Sequence, residues 1–240
     1  MPERPREGSV AIDARAAGAA TGDAPARTRP LLRGVFHAGA AVAVLPAAAW
    51  LYAQAPSRAA ELGALVYGSS LVFLFTVSAI YHRVLWTDPV VRRAVGRVDH
   101  SAIFALIAGT YTPFCLLLGA PTGTWLLVTV WASAALGMAV VVFLPGTPKP
   151  VRSALYVLLG WLVVPFLPRL GALLGLRPFA LLVAGGALYT VGAVIYAARR
   201  PDPWPRVFGF HEIFHLLVVA AAALQFAAVA EAVRLVGAVG

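Results

Sequence analysis

The chain has 240 residues, of which 60% are hydrophobic and only 12% charged, a balance that excludes an ordinary water-soluble domain. Its net charge of +9 does not point to nucleic acid, because the basic residues are scattered in short segments between apolar runs and neither form one face nor interleave with aromatics. A single cysteine, Cys115, cannot close an intrachain disulfide and offers no thiolate metal site, so it reads as a small packed apolar residue.

Residues 1–30 are rich in Ala, Arg, Pro and Gly, lack an apolar stretch of signal-peptide length, and read as a disordered cytoplasmic tail. From there to residue 240 the chain reads as one membrane domain, with apolar runs near 33–54, 61–85, 98–119, 124–145, 153–168, 179–198 and 207–233. Most reach the roughly 17–25 residues that a helix needs to cross the hydrocarbon core. The fifth is interrupted by Pro165 and Pro168, and its outer end is expected to run on through Leu176. Pro113 is expected to bend the third, with Thr110 or Thr112 covering freed backbone groups.

Orientation follows from Lys and Arg. On one side of an alternating seven-span arrangement lie fifteen of the nineteen, from the tail and Arg33 through Arg83, Arg92, Arg93, Arg97, Lys149, Arg152, Arg199, Arg200 and Arg206. The other side has Arg58, Arg169, Arg177 and Arg234. The positive-inside rule then gives an all-α, seven-transmembrane-helix bundle in the cell membrane, N-terminus cytoplasmic and C-terminus outside.

All five histidines fall toward the cytoplasmic leaflet of this topology: His37, His82, His100, His211 and His215. Polar side chains within spans are costly and mark functional sites by default. His211 and His215 are four residues apart, so both imidazoles share one face of the seventh span and reach one ion, or bond neighbouring carbonyls at the interface. His82 offers a third ligand, with Ser78 one turn deeper on the same face, either lining the same cavity or bonded back to a carbonyl. Asp99, in Arg97-Val98-Asp99-His100 at the opening of the third span, either caps that helix or faces the histidines to hold or deprotonate a metal-bound water. Three neutral nitrogens plus water make the open catalytic arrangement of zinc. His37 and His100 read as interfacial residues.

These motifs, in this order, resemble the haemolysin III family and its eukaryotic relatives, the progestin and adiponectin receptor family. The matching pieces are Ser78 to His82 with Arg83 and Trp86, Arg97 to Phe104, Ala108 to Phe114, and His211-Glu212-Ile213-Phe214-His215. The resemblance implies a seven-helix fold with zinc bound by His82, His211 and His215, Asp99 contacting the metal-bound water, and Ser78 lining the site. It further implies a zinc-dependent hydrolase of lipid amides, ceramide-like or otherwise acylated, entering from membrane lipid. Two alternatives accompany it. One is a receptor or membrane regulator whose zinc is structural. The other is an intramembrane metalloprotease that uses Glu212 as the base of a His-Glu-x-x-His motif, against which stands the turn of about 100° between adjacent helical residues. A transporter is disfavoured, since neither an internal repeat nor a pair of broken helices is visible.

Overall fold

A computed structural model describes residues 29–237. The expected tail, residues 1–30, lies outside the described residues up to residue 28. Among the described residues the secondary structure is helical, apart from one isolated bridge between Trp204 and Phe208. The elements are α1 (Val35–Ala53), α2 (Arg58–Arg83), α3 (Pro89–Leu118), α4 (Thr122–Phe143), α5 (Lys149–Trp161), a 3-10 turn (Val164–Phe166), α6 (Leu167–Leu174), α7 (Leu176–Ala198) and α8 (Phe210–Leu235). With α5, the turn and α6 taken as one span, seven helical segments are long and apolar enough to cross a membrane. Their length and composition are those of a multi-pass integral membrane protein.

Local chemistry explains most of the boundaries. Asp88 caps α3 by accepting from the backbone N–H of Val90 at 2.6 Å and of Val91 at 3.4 Å, with Pro89 in the first turn, where its missing donor costs nothing. The helix therefore begins nine residues before the apolar run and carries Arg92 and Arg93 outside the hydrocarbon region. Asp99 and His100 consequently lie inside α3, and capping, one of the two roles left open for Asp99, belongs to Asp88. The fifth span does continue past its prolines, ending at Leu174. Where α5 stops, the Tyr111 hydroxyl donates its one proton to the Gly160 carbonyl at 2.7 Å, with the Leu159 carbonyl at 3.1 Å as a secondary acceptor, which covers a helix-end group within the span. Helix α3 runs unbroken through Pro113, and Thr110 and Thr112 bond the carbonyls of Leu106 and Ala108, leaving that of Gly109 uncovered by either.

The helices pack around a core drawn chiefly from α2, α3 and α8, including Tyr67, Phe75, Phe104, Phe114 and Val229. The ends of α2, α4 and α7 and the starts of α1, α3, α5 and α8 face one side. There the segment before α1 is stitched to the α7–α8 connection: Leu31 N–H donates to the Arg206 carbonyl at 3.1 Å and Leu32 N–H to that of Val207 at 3.2 Å. Beside them Arg33 Nε meets Glu212 Oε1 at 2.6 Å, with the Glu212 side chain fully buried and that of Arg33 26% exposed. The other oxygen of Glu212 accepts from Gly209 N–H at 2.9 Å. Glu212 thus fixes the start of α8 and the entry to α1 together.

Substituting Glu212 by Gln removes one charge of this pair and strands Arg33. The expected loss lies toward the lower end of the roughly 3–5 kcal/mol typical of a broken buried pair, since Arg33 keeps some access to water. Thermal unfolding in detergent checks this, and a double variant with Arg33→Gln should lose less than the two single losses combined.

Candidate metal centre and cavity

Three helices deliver the polar side chains of the site. His82 stands in the last turn of α2, Asp99 one third of the way along α3, and His211 and His215 in the first two turns of α8. Gly34, at the mouth of α1, lets the chain pass directly over His82. Its φ of +76° suits glycine, and a β-carbon there would sit 2.6 Å from His82 Cβ. The first span is therefore seated against the base of a site histidine.

One ring nitrogen from each of His82, His211 and His215 lies within 4.8 Å of the others, with His215 buried and the other two half-buried. Nε2 of His82 and Nε2 of His211 face each other at 3.3 Å. Two neutral imidazoles cannot both present lone pairs across so short a gap without a proton or a cation to share. Nitrogens each about 2.0–2.1 Å from one tetrahedral zinc are themselves about 3.3 Å apart, so this pair already has the spacing of one edge of such a site. The His215 ring nitrogen stands within 4.8 Å of both. Nδ1 of His215 is buried with no hydrogen-bond partner among the described residues. The donor set therefore fits a zinc ion, while other divalent ions that favour imidazole share that chemistry.

Asp99 brings a carboxylate to the cluster, its Oδ2 3.7 Å from His82 Nε2. Its side chain is 13% exposed and it lines the same cavity as the three histidines. Ser78 is 2% exposed, and its Oγ is 2.8 Å from His37 Nδ1. Of the two roles left open from the sequence, Ser78 lines the same cavity as His82.

His37 and His100 depart from their expected interfacial role. His37 is 3% exposed and stacks face to face on His215, with centroids 3.8 Å apart and planes within 7°. It holds Ser78 with one ring nitrogen while its plane supports a site histidine. His100 lies partly buried on the cavity wall, with Nδ1 2.5 Å from the Gly96 carbonyl and Nε2 3.4 Å from the Tyr196 hydroxyl. The signal that pointed to both was the gathering of all five histidines in one leaflet.

A cavity of about 510 Å³ opens from these residues and runs between α3, α5, α7 and α8. Its wall is mostly apolar beyond the histidine end. Trp161, Val164, Val183 and Val191 line it and are 44–57% exposed, so the partition between α5 and α7 is only about one side chain thick. The Trp161 indole bridges that partition by donating to Thr190 Oγ1 at 3.2 Å. At the polar mouth Lys149 Nζ sits 5.1 Å from the centre of the Tyr196 ring, giving the rim a positive charge.

Comparison with known proteins agrees with this architecture. Residues 26–226 match the family described as Haemolysin-III related. Hemolysin-3 of Bacillus cereus is 33% identical over 196 residues, covering 80% of this chain and 86% of the relative. The Hemolysin-3 homolog of Bacillus subtilis is 35% identical over 164 residues, covering 67% and 72%. A more distant likeness reaches the human monocyte to macrophage differentiation factor, 27% identical over 198 residues, covering 80% and 79%. A seven-span helical chain, histidines from its second and seventh spans converging on one point, and a family match over most of its length lead to one conclusion: this chain belongs to the haemolysin III family.

Proposed function

We propose that the protein is a zinc-dependent hydrolase of lipid amides or related acyl lipids, with its site at the cytoplasmic end of the bundle. The observation that carries this reading is the continuity of the cavity: a passage of about 510 Å³, long and apolar, begins at His82, His211, His215 and Asp99. An acyl chain suits the apolar part, and its carbonyl then falls at the polar end. The bias of Lys and Arg toward the histidine-bearing end supports placing that end in the cytoplasm.

His82, His211 and His215 would hold the metal. Zinc in such a site acts as a Lewis acid toward a carbonyl and makes water acidic enough to attack near neutral pH. Asp99 Oδ2, beside His82, is placed to take the proton of the attacking water and to return it to the leaving amine nitrogen as the C–N bond breaks, giving a fatty acid and an amine. Ser78, tied to His37, presents its hydroxyl toward the same end of the cavity and orients the carbonyl. His37 keeps His215 from turning by stacking on its ring. Burial in an apolar surround strengthens each of these interactions.

Glu212 is engaged by Arg33 and Gly209 and does not line the cavity, which favours Asp99 over Glu212 as the base and weighs against the metalloprotease alternative. Use of zinc as a structural clamp between α2 and α8 is separated by experiment. If zinc is catalytic, chelation stops turnover and leaves most of the thermal stability; if structural, the bundle unfolds on chelation.

Metal analysis by mass spectrometry on detergent-purified protein is expected to give about one zinc per chain. Both His82→Ala and the double variant His211→Ala, His215→Ala should lose it, and retention in either would break the shared-site assignment. Asp99→Asn is expected to keep the metal while lowering hydrolysis of a ceramide-like amide by about 10²–10⁴-fold. A well-folded wild type without metal would remove the hydrolase reading.

A further inference from the structure

Glycine inside a helix costs stability relative to alanine, so one within a span calls for a reason. Two glycines of α7 have a plain one. A β-carbon at Gly185 would lie 2.9 Å from Gln225 Cγ, and one at Gly192 would lie 3.4 Å from Phe214 Cδ2, so the packing of α7 on α8 keeps both positions small. Gly186 differs. A β-carbon there meets no neighbouring side chain or helix within 4 Å among the described residues, and the same holds at Gly160 on α5.

The open space beside these two glycines is the cavity. On α7 its wall includes Leu182, Tyr189, Ala193 and Tyr196 as well as Gly186. They recur every three or four residues, which makes one helix face, and Gly186 stands in the middle of it. On α5 the wall residues Ser153, Tyr156 and Val157 put Gly160 on the lining face by the same spacing. Gly39 on α1 supplies the contrast: it also has open space beside it, but it is exposed and lies outside the cavity wall. Two helices thus leave the cavity unfilled at positions where packing would admit a larger side chain.

Both positions lie well inside the passage. Tyr196, whose ring centre is 5.7 Å from that of His211, marks the histidine end. Gly186 precedes it by ten residues, which puts it about 15 Å deeper along α7. Gly160 follows Ser153 by seven residues, about 10 Å farther along α5. An extended acyl chain advances somewhat less than its C–C bond length of about 1.5 Å per carbon, so roughly a dozen carbons reach from the histidines to Gly186.

We infer that Gly160 and Gly186 set the acyl length that the cavity takes. Bare backbone at these positions lets a chain of more than roughly a dozen carbons run past, and a side chain at either stops it. This names the chain class for the acyl-lipid reading above and rests on it, but it depends on occupancy and not on turnover. Neither glycine touches the reacting atoms. They select by volume alone.

The test is isothermal titration of decanoic and stearic acids into full-length, detergent-purified wild type, Gly186→Leu, Gly160→Leu and Gly39→Leu. Wild type is expected to bind stearic acid more tightly than decanoic acid, because the longer chain buries more apolar surface. Gly186→Leu should bind stearic acid about tenfold more weakly, since methylenes are forced into filled space, and decanoic acid as wild type does. Gly160→Leu should weaken stearic acid likewise, and Gly39→Leu should change neither. If a leucine variant fails to fold, the methionine variant at that position, unbranched and adaptable, replaces it. A wild type that binds neither acid, stearic acid bound undiminished by both cavity variants, or equal loss of both acids in Gly186→Leu would overturn the inference. Hydrolysis of a ceramide-like amide is read on the same preparations. A wild type with the length preference but no cleavage overturns the hydrolase reading and leaves this one intact, whereas cleavage with one length profile in all four proteins does the reverse.

Discussion

Inside a bilayer a polar group that lacks a protein partner has no water to fall back on, and this single constraint organises the molecule. It explains why Tyr111 reaches across to the carbonyls left open where α5 ends, and why Trp131 donates to Thr112 across the α3–α4 contact. It explains why Glu212, fully buried, is met by a guanidinium and a backbone amide. Among the described residues the buried side-chain atoms without a hydrogen-bond partner include one ring nitrogen each of His37 and His215, the hydroxyls of Tyr67, Ser101 and Ser153, and the side-chain oxygen of Gln225.

The site is built from side chains that different spans present at the same depth. α2 and α8 give the imidazoles, α3 gives the carboxylate, and α1 gives a stacked histidine and the glycine that seats the chain over His82. Two spans that touch little elsewhere are drawn together at this point. Positioning by packed helices, with rotamers locked by neighbours, is what a catalytic constellation requires to hold its geometry.

Much of this was legible in the sequence because a membrane restricts what a span can contain. Seven apolar runs, a one-sided distribution of Arg and Lys, and histidines confined to one leaflet gave the bundle and drew attention to His82, His211 and His215. The helix limits were less legible. Asp99 resembled a cap because the apolar run begins beside it, whereas Asp88 and Pro89 start the helix within a polar stretch that hydropathy ignores. His37 was read as interfacial since depth along a span can be judged from sequence but direction around it cannot, and only the packing of α1 against α2 and α8 turns its ring onto His215.

The stitching of the segment before α1 to the connection between α7 and α8 joins parts of the chain that are synthesised far apart in time. A nascent chain with six spans inserted has His82 and Asp99 in place but lacks both other imidazoles, and Arg33 has no carboxylate to meet. Arrival of the last span supplies His211, His215 and Glu212 within one and a half helical turns, completing the histidine cluster and the ion pair with Arg33 in the same event. An unfinished or truncated chain therefore lacks both the assembled histidine cluster and the ion pair that ties the entry of α1 to the start of α8.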